Sequence, residues 1–102
     1  MGYSIPHMRA RLIFYRKNIE RNGDIVEMRI WKIPISKRLP SGLKYSLVYI
    51  REGQRIIGYD NAEGKGHHRH YRRKEFAYDF RDVDNLIKDF YEDVEKVRRG
   101  EV

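Results

Sequence analysis

The run Gly58-Tyr59-Asp60-Asn61-Ala62-Glu63-Gly64-Lys65-Gly66-His67-His68-Arg69-His70-Tyr71 concentrates the chain's reactive side chains, with three of its four histidines inside four positions. Histidine titrates near neutrality and can take or give a proton there. Arginine presents a planar fork that matches phosphate oxygens. A metal-independent ribonuclease needs those two things. One group takes the proton from the ribose 2′-hydroxyl, another protonates the leaving 5′-oxygen, and a cation stabilises the charged phosphorane. If the segment is a strand, His68, His70 and Arg72 point to one face, and His67, Arg69 and Tyr71 to the other. His67, His68, His70 and Asp60 are therefore the candidate catalytic set, Asp60 orienting a histidine or the loop beside it. Lys65, Arg69, Arg72 and Arg73 are candidate phosphate binders, with Tyr71 as a candidate stacking surface. Asn61, Gly64 and Gly66 would shape the loop.

Other uses of the same residues compete. His68 and His70 with Asp60 or Glu63 could form a two-histidine, one-carboxylate metal site, but His-x-His arises readily by chance in a basic loop, and the expectation is no metal and no cofactor. Gly64-Lys65-Gly66 lacks the spacing of a phosphate-binding P-loop, and a strand rather than a helix follows it. The histidine segment could equally be a polar edge strand, its basic residues discouraging aggregation. Asp60 and Asn61 could be turn residues bonding their own backbone. Tyr45, Tyr49, Tyr59, Tyr71 and Tyr78, interleaved with cations, suit base stacking, though cross-strand packing accounts for most sheet tyrosines. The acids Asp84, Asp89, Glu92, Asp93 and Glu95 read as a solvated helix face.

The elements that must position these residues belong to a chain of 102 residues with a net charge of +7 and no cysteine. The missing thiols exclude a disulfide scaffold, a thiolate zinc site, an iron–sulfur cluster and a cysteine nucleophile. The length suits one domain, 1–102. No apolar run approaches the ~18 residues of a bilayer span, and no signal peptide is visible, so a cytoplasmic protein without a membrane partner is expected. The absence of threonine and the single glutamine, Gln54, hint at a thermophilic source. Residues 1–81 carry a net +10 and residues 82–102 a net −3. The densest basic block, Lys65 to Lys74, contains no acid. A basic surface of this kind suits a polyanion.

The pattern predicts an α+β fold: an antiparallel sheet of four to five strands built from two hairpins, with one C-terminal amphipathic helix packed on one face. Residues 1–9 read as a ragged start, 10–80 as the sheet and 82–99 as the helix. Asn22-Gly23 signals the first hairpin turn. Centring it there pairs Ile19 with Val26 and puts Ile13, Tyr15, Ile19, Val26, Met28 and Ile30 on a core face. Phe14, Arg16, Glu27, Arg29 and Trp31 then share the other face, which is partly solvated or an interface. Glu52-Gly53 turns the second hairpin, with Val48 and Ile57 on one face and Tyr45, Leu47, Tyr49 and Ile56 on the other. His67 to Tyr71 is a short fifth strand. Asp82 caps a helix whose stripe is Val83, Leu86, Ile87, Phe90, Val94 and Val97, and Gly100 ends it.

The segment from Tyr45-Ser46-Leu47 through Arg55-Ile56-Ile57-Gly58-Tyr59-Asp60-Asn61-Ala62 to Gly64-Lys65-Gly66-His67-His68-Arg69-His70 resembles the TumE-type toxins of prokaryotic toxin–antitoxin modules. In that family a strand ending Tyr-Asp-Asn-Ala leads into Gly-Lys-Gly and then a His-Arg-His element. The closing helix, Asp82-Val83-Asp84-Asn85-Leu86-Ile87-Lys88-Asp89-Phe90, resembles theirs. The likeness covers Leu43 to Val97, and His68 stands where relatives often have an acidic residue. The resemblance implies a small toxin partnered by an antitoxin with a helix-turn-helix DNA-binding domain. It also implies functional weight on Asp60, Asn61, Lys65, His67, Arg69 and His70. RNA or the ribosome is the expected target. Three readings stand side by side: a ribonuclease, a non-enzymatic nucleic-acid or ribosome binding module, and an interaction protein for the antitoxin. A homodimer through the Phe14/Trp31 face or a strand edge is also open.

Overall fold

The computed structural model describes residues 9–62 and 65–101; Gly64, Glu63 and the start at 1–8 lie outside the described residues. Six strands run in chain order across one sheet: β1 (Arg11–Ile19), β2 (Ile25–Lys32), β3 (Leu43–Arg51), β4 (Gln54–Ala62), β5 (Gly66–Tyr71) and β6 (Lys74–Ala77). Every neighbouring pair is antiparallel. The helix α1 (Val83–Arg98) follows and packs on one face. The α+β class and the closing helix are as the sequence pattern predicts. The sheet has six strands in a single meander, not four or five. The additional strand is β6, whose four residues are all exposed, so it carries no alternation of apolar and polar positions.

The core forms between α1 and the middle of the sheet. Val26, Met28 and Ile30 of β2, Tyr45, Leu47 and Tyr49 of β3, and Ile57 and Tyr59 of β4 face Leu86, Phe90, Val94 and Val97. Each such side chain contributes roughly 1.5–3 kcal/mol by leaving water. Asp82 caps the helix by accepting a 2.8 Å hydrogen bond from the Asn85 amide. Asp84 in the first turn and Lys96 and Arg98 in the last complement the helix dipole.

The first hairpin departs from its predicted register. Ile19 pairs with Ile25, and Asn18 with Val26. The turn is longer than two residues: the Gly23 amide donates to the Glu20 carbonyl at 2.8 Å, and the Glu20 amide donates to Asp24. Gly23 alone takes a positive φ, 94°, and Asn22 Oδ1 accepts from the Asp24 amide at 2.9 Å. A two-residue Asn-Gly hairpin turn needs a positive φ at both positions, and here only the glycine has one, so the turn is of the longer kind closed by a left-handed glycine. The one-residue slip exchanges the faces of β1. Ile13, Tyr15 and Ile19, expected in the core, are exposed at 46%, 48% and 69%. Phe14 packs against the core instead.

Two further assignments change. Trp31 does not share a face with Phe14. It is buried with Ile33 and Leu39 in a small second cluster, so no Phe14/Trp31 dimer face exists. In β4, Tyr49 pairs with Ile57 and Ile50 with Arg55, leaving Ile56 as the extra residue of a β-bulge. The bulge buries both Ile56 and Ile57 on the helix side and separates Ile57 from Val48.

Candidate active site

Strand β5 sorts the histidines between the two faces of the sheet. On the helix-covered face lies His67. Its ring stacks on Phe80 at 4.7 Å and on Tyr45 at 5.7 Å. The Tyr45 hydroxyl meets His67 Nδ1 at 2.8 Å. Burial, with the neighbouring His68, pushes the His67 imidazole below its ordinary value. Burial likewise pushes the Tyr45 hydroxyl up. A protonated phenol donating to a neutral imidazole satisfies both groups. This geometry packs His67 against Tyr45 and Phe80, set apart from His68 and His70 by the sheet.

Arg69, also on the covered face, points into the core boundary. Its Nε donates to Asp93 at 2.6 Å, and the Tyr59 hydroxyl donates to the same carboxylate oxygen at 2.6 Å. Its guanidinium also lies 5.5 Å from the centre of the Phe76 ring. Burial and the hydrogen bond to Asp93 push the Tyr59 hydroxyl up. The hydrogen bond to Asp93 more than offsets burial and holds the Arg69 guanidinium charged. Asp89 is engaged in the same way, accepting from Tyr78 at 2.6 Å and from Arg81 at 3.3 Å. The helix acids therefore do not form one solvated face: Asp93 and Asp89 clamp α1 to β4, β5 and the segment after β6.

Among the described residues, the opposite face carries no helix. There His68 and His70 lie with ring centres 6.5 Å apart, each beside a carboxylate. His68 Nε2 is 3.2 Å from Glu75, and His70 Nε2 is 3.1 Å from Asp60. The second contact falls short of a formed hydrogen bond, and His70 Nε2 is buried without a hydrogen-bond partner among the described residues. Asp60 sits directly across from His68 in the β4–β5 ladder, and Gly58 across from His70. Arg55 folds its side chain over Gly58: a Cβ added there would lie 3.0 Å from Arg55 Cδ and 3.3 Å from Nε. Glycine at 58 thus makes room for the Arg55 side chain across the ladder from His70.

The remaining candidates scatter. Asn61 is buried at 3% exposure and performs a structural task. Its Oδ1 accepts from the Tyr45 amide at 2.9 Å, and its Nδ2 donates to the Leu43 carbonyl at 2.8 Å. The β3–β4 ladder ends at the Ser46–Asp60 pair, and the amide continues it with a side chain. Lys65 is exposed in the turn before β5, and Gly66 follows with φ 81°. Arg72 and Arg73 form the turn after β5, at its far end, roughly 20 Å from Lys65 by strand rise. Arg72 does not join His68 and His70. Its Nε donates to the Tyr71 hydroxyl at 3.2 Å, and its guanidinium lies 5.4 Å from the centre of that ring. Among the described residues no cluster of three or more histidines and carboxylates gathers at metal-binding distance.

Sequence reasoning missed Glu75 and Arg55. Glu75 would have required recognising Arg72-Arg73 as a tight turn, which brings β6 back against β5. Arg55 would have required the bulge at Ile56, which no composition signal marks.

The family model of Toxin TumE matches residues 3–98. No curated protein and no solved structure matches the chain.

Proposed function

The chain belongs to the TumE toxin family, and from that premise we propose that it is the toxin component of a toxin–antitoxin module, acting as a metal-independent ribonuclease. The observation that supports this reading is the pair His68 and His70, side by side on the face without the helix, each beside its own carboxylate. In this reading each carboxylate closes a hydrogen bond onto one ring nitrogen when substrate is bound, which orients the imidazole and leaves the other nitrogen for proton transfer. Ring centres 6.5 Å apart leave room for a phosphate between them. One histidine removes the ribose 2′-proton, and the 2′-oxygen attacks phosphorus. The other histidine protonates the departing 5′-oxygen, and a 2′,3′-cyclic phosphate results. Arg55, whose side chain lies over Gly58 across the ladder from His70, would hold a phosphoryl oxygen. Asp60 and Glu75 act as positioning residues. Its partners in this reading are RNA and a cognate antitoxin.

The reading of a non-enzymatic nucleic-acid or ribosome binder draws support from the exposed cations Arg72, Arg73 and Lys74 at the turn after β5, and differs in what it expects of the histidines. Controlled expression with and without the neighbouring antitoxin gene separates the two. The ribonuclease reading expects growth arrest from the wild type, relief by the antitoxin, and no arrest from His70→Asn at equal protein level. Arrest by His70→Asn equal to wild type supports the binder instead.

A further inference from the structure

At the end of the sheet where β4 begins and β5 turns into β6, an open groove is lined by Gln54, Arg55, Tyr71, Arg72, Arg73 and Lys74. Three of these residues are arginines and one is a lysine, all four are exposed, and none makes an ion pair among the described residues. Several arginines elsewhere are neutralised, Arg29 by Glu27, Arg51 by Asp24, Arg69 by Asp93 and Arg98 by Glu20 and Glu95, so what sets the groove apart is the gathering of four open cations in one place. Four cations left without acids around one groove leave a strong positive field there, which an external anion would relieve.

A second feature lies in the backbone. Arg72 holds φ 54°, in the left-handed region that side chains other than glycine rarely adopt. Its amide still donates to the Ile56 carbonyl at 2.8 Å, so the surrounding ladder holds that conformation. Glycine would be the stability choice at this turn. Glu52 in the turn between β3 and β4 holds a like φ of 53°, so the conformation belongs to the tight hairpin turn, and the arginine there adds a cation to the groove.

Arg55 belongs to both regions. It lines the groove, and its side chain lies over Gly58, across the ladder from His70. We propose that the groove seats the sugar–phosphate backbone of single-stranded RNA, with Arg55 passing the strand onto the His68/His70 face. The inference rests on the ribonuclease reading for its ligand, but it is tested without cleavage. Tyr71, half-buried in the groove wall beneath Arg72, supplies an aromatic surface beside the phosphate track.

The test measures binding of a fluorescent 2′-O-methyl RNA oligonucleotide, which lacks the free hydroxyl that cleavage requires, across a range of salt concentrations. Single strands lose about 0.7 in the slope of log K against log salt for each phosphate contact removed. The triple variant Arg72→Gln/Arg73→Gln/Lys74→Gln should therefore flatten the slope by about 2. A control variant, Arg16→Gln/Lys17→Gln/Lys37→Gln, carries the same charge change elsewhere and should leave the slope near wild type. Arg72→Gly should bind more weakly while unfolding at a higher temperature, which separates loss of contact from loss of fold. Equal slopes for wild type and the groove variant, or equal loss in groove and control variants, would overturn the proposal. Failure of the histidines to cleave leaves these binding results unchanged, so the two readings fail separately.

Discussion

His67 and His68 are consecutive, yet one ring packs against both Phe80 and Tyr45 on the helix side and the other lies beside Glu75 on the opposite face. The alternation of a strand predicts that division, and the sequence shows it as soon as β5 is read as a strand. It does not show which side the helix covers, because that depends on the register of the whole sheet. Arg69 was a reasonable phosphate binder by type, but its partner Asp93 lies 24 residues away on α1 and only the packed fold joins them. His67 also has a pH consequence. Burial, followed by His68, lowers its folded value, so below the ordinary histidine value of about 6.5 the unfolded chain takes up the proton first. Its effect on stability is absent at higher pH. Stability then falls as pH drops from about 6.5 through the lower folded value, and levels off beneath it. Urea unfolding at pH 8 and pH 5 should therefore show a smaller loss for His67→Phe than for wild type. An equal loss would show that His67 is not held neutral in the fold.

At the scale of elements, the second hairpin and the helix were legible because their signals are local. Glu52-Gly53 turns the chain between two apolar strands, and Asp82 starts a 16-residue helix with its apolar stripe intact. The first hairpin was misread because Asn22-Gly23 is compatible with more than one turn. The choice fell to Asn22 bonding Asp24 and to Asp24 itself. That carboxylate is 3% exposed, accepting from Tyr49 at 2.6 Å and from Arg51 at 3.1 Å. Burial opposes its charge, but the hydrogen bonds from Tyr49, Arg51 and Asn22 prevail and hold it below the usual carboxylate range. Those contacts come from β3, beyond any local pattern. Asn61 is the corresponding device at the other end of β3. Asn61→Ala strands a buried amide and a part-buried carbonyl, and should destabilise by about 1–3 kcal/mol. Chemical denaturation measures this, and a loss under about 0.5 kcal/mol would mean that water replaces the side chain.

Across the whole molecule, the charge of +7 is arranged by partnering rather than by sequence block. The basic run Lys65 to Lys74 looked like one patch. Folding splits it: Lys65 lies before β5, Arg69 is paired with Asp93, and Arg72, Arg73 and Lys74 join Arg55 at the far end of the sheet. The acidic helix, in turn, commits Asp89 and Asp93 to the sheet. What remains is a helix-free face bearing His68, His70, Asp60 and Glu75, with an acid-free basic groove leading toward it through Arg55. Membership of the TumE family is consistent with a toxin role, and the ribonuclease chemistry on this face is the proposal to be tested. The most direct test incubates purified protein with RNA in the presence of a chelator and analyses the product ends. Wild type should leave 2′,3′-cyclic phosphates. His68→Asn and His70→Asn should each slow cleavage by about 10²–10⁴-fold, while His67→Asn, if folded, keeps most of the rate. No cleavage by the wild type, or unchanged cleavage by both His68→Asn and His70→Asn, would contradict the account.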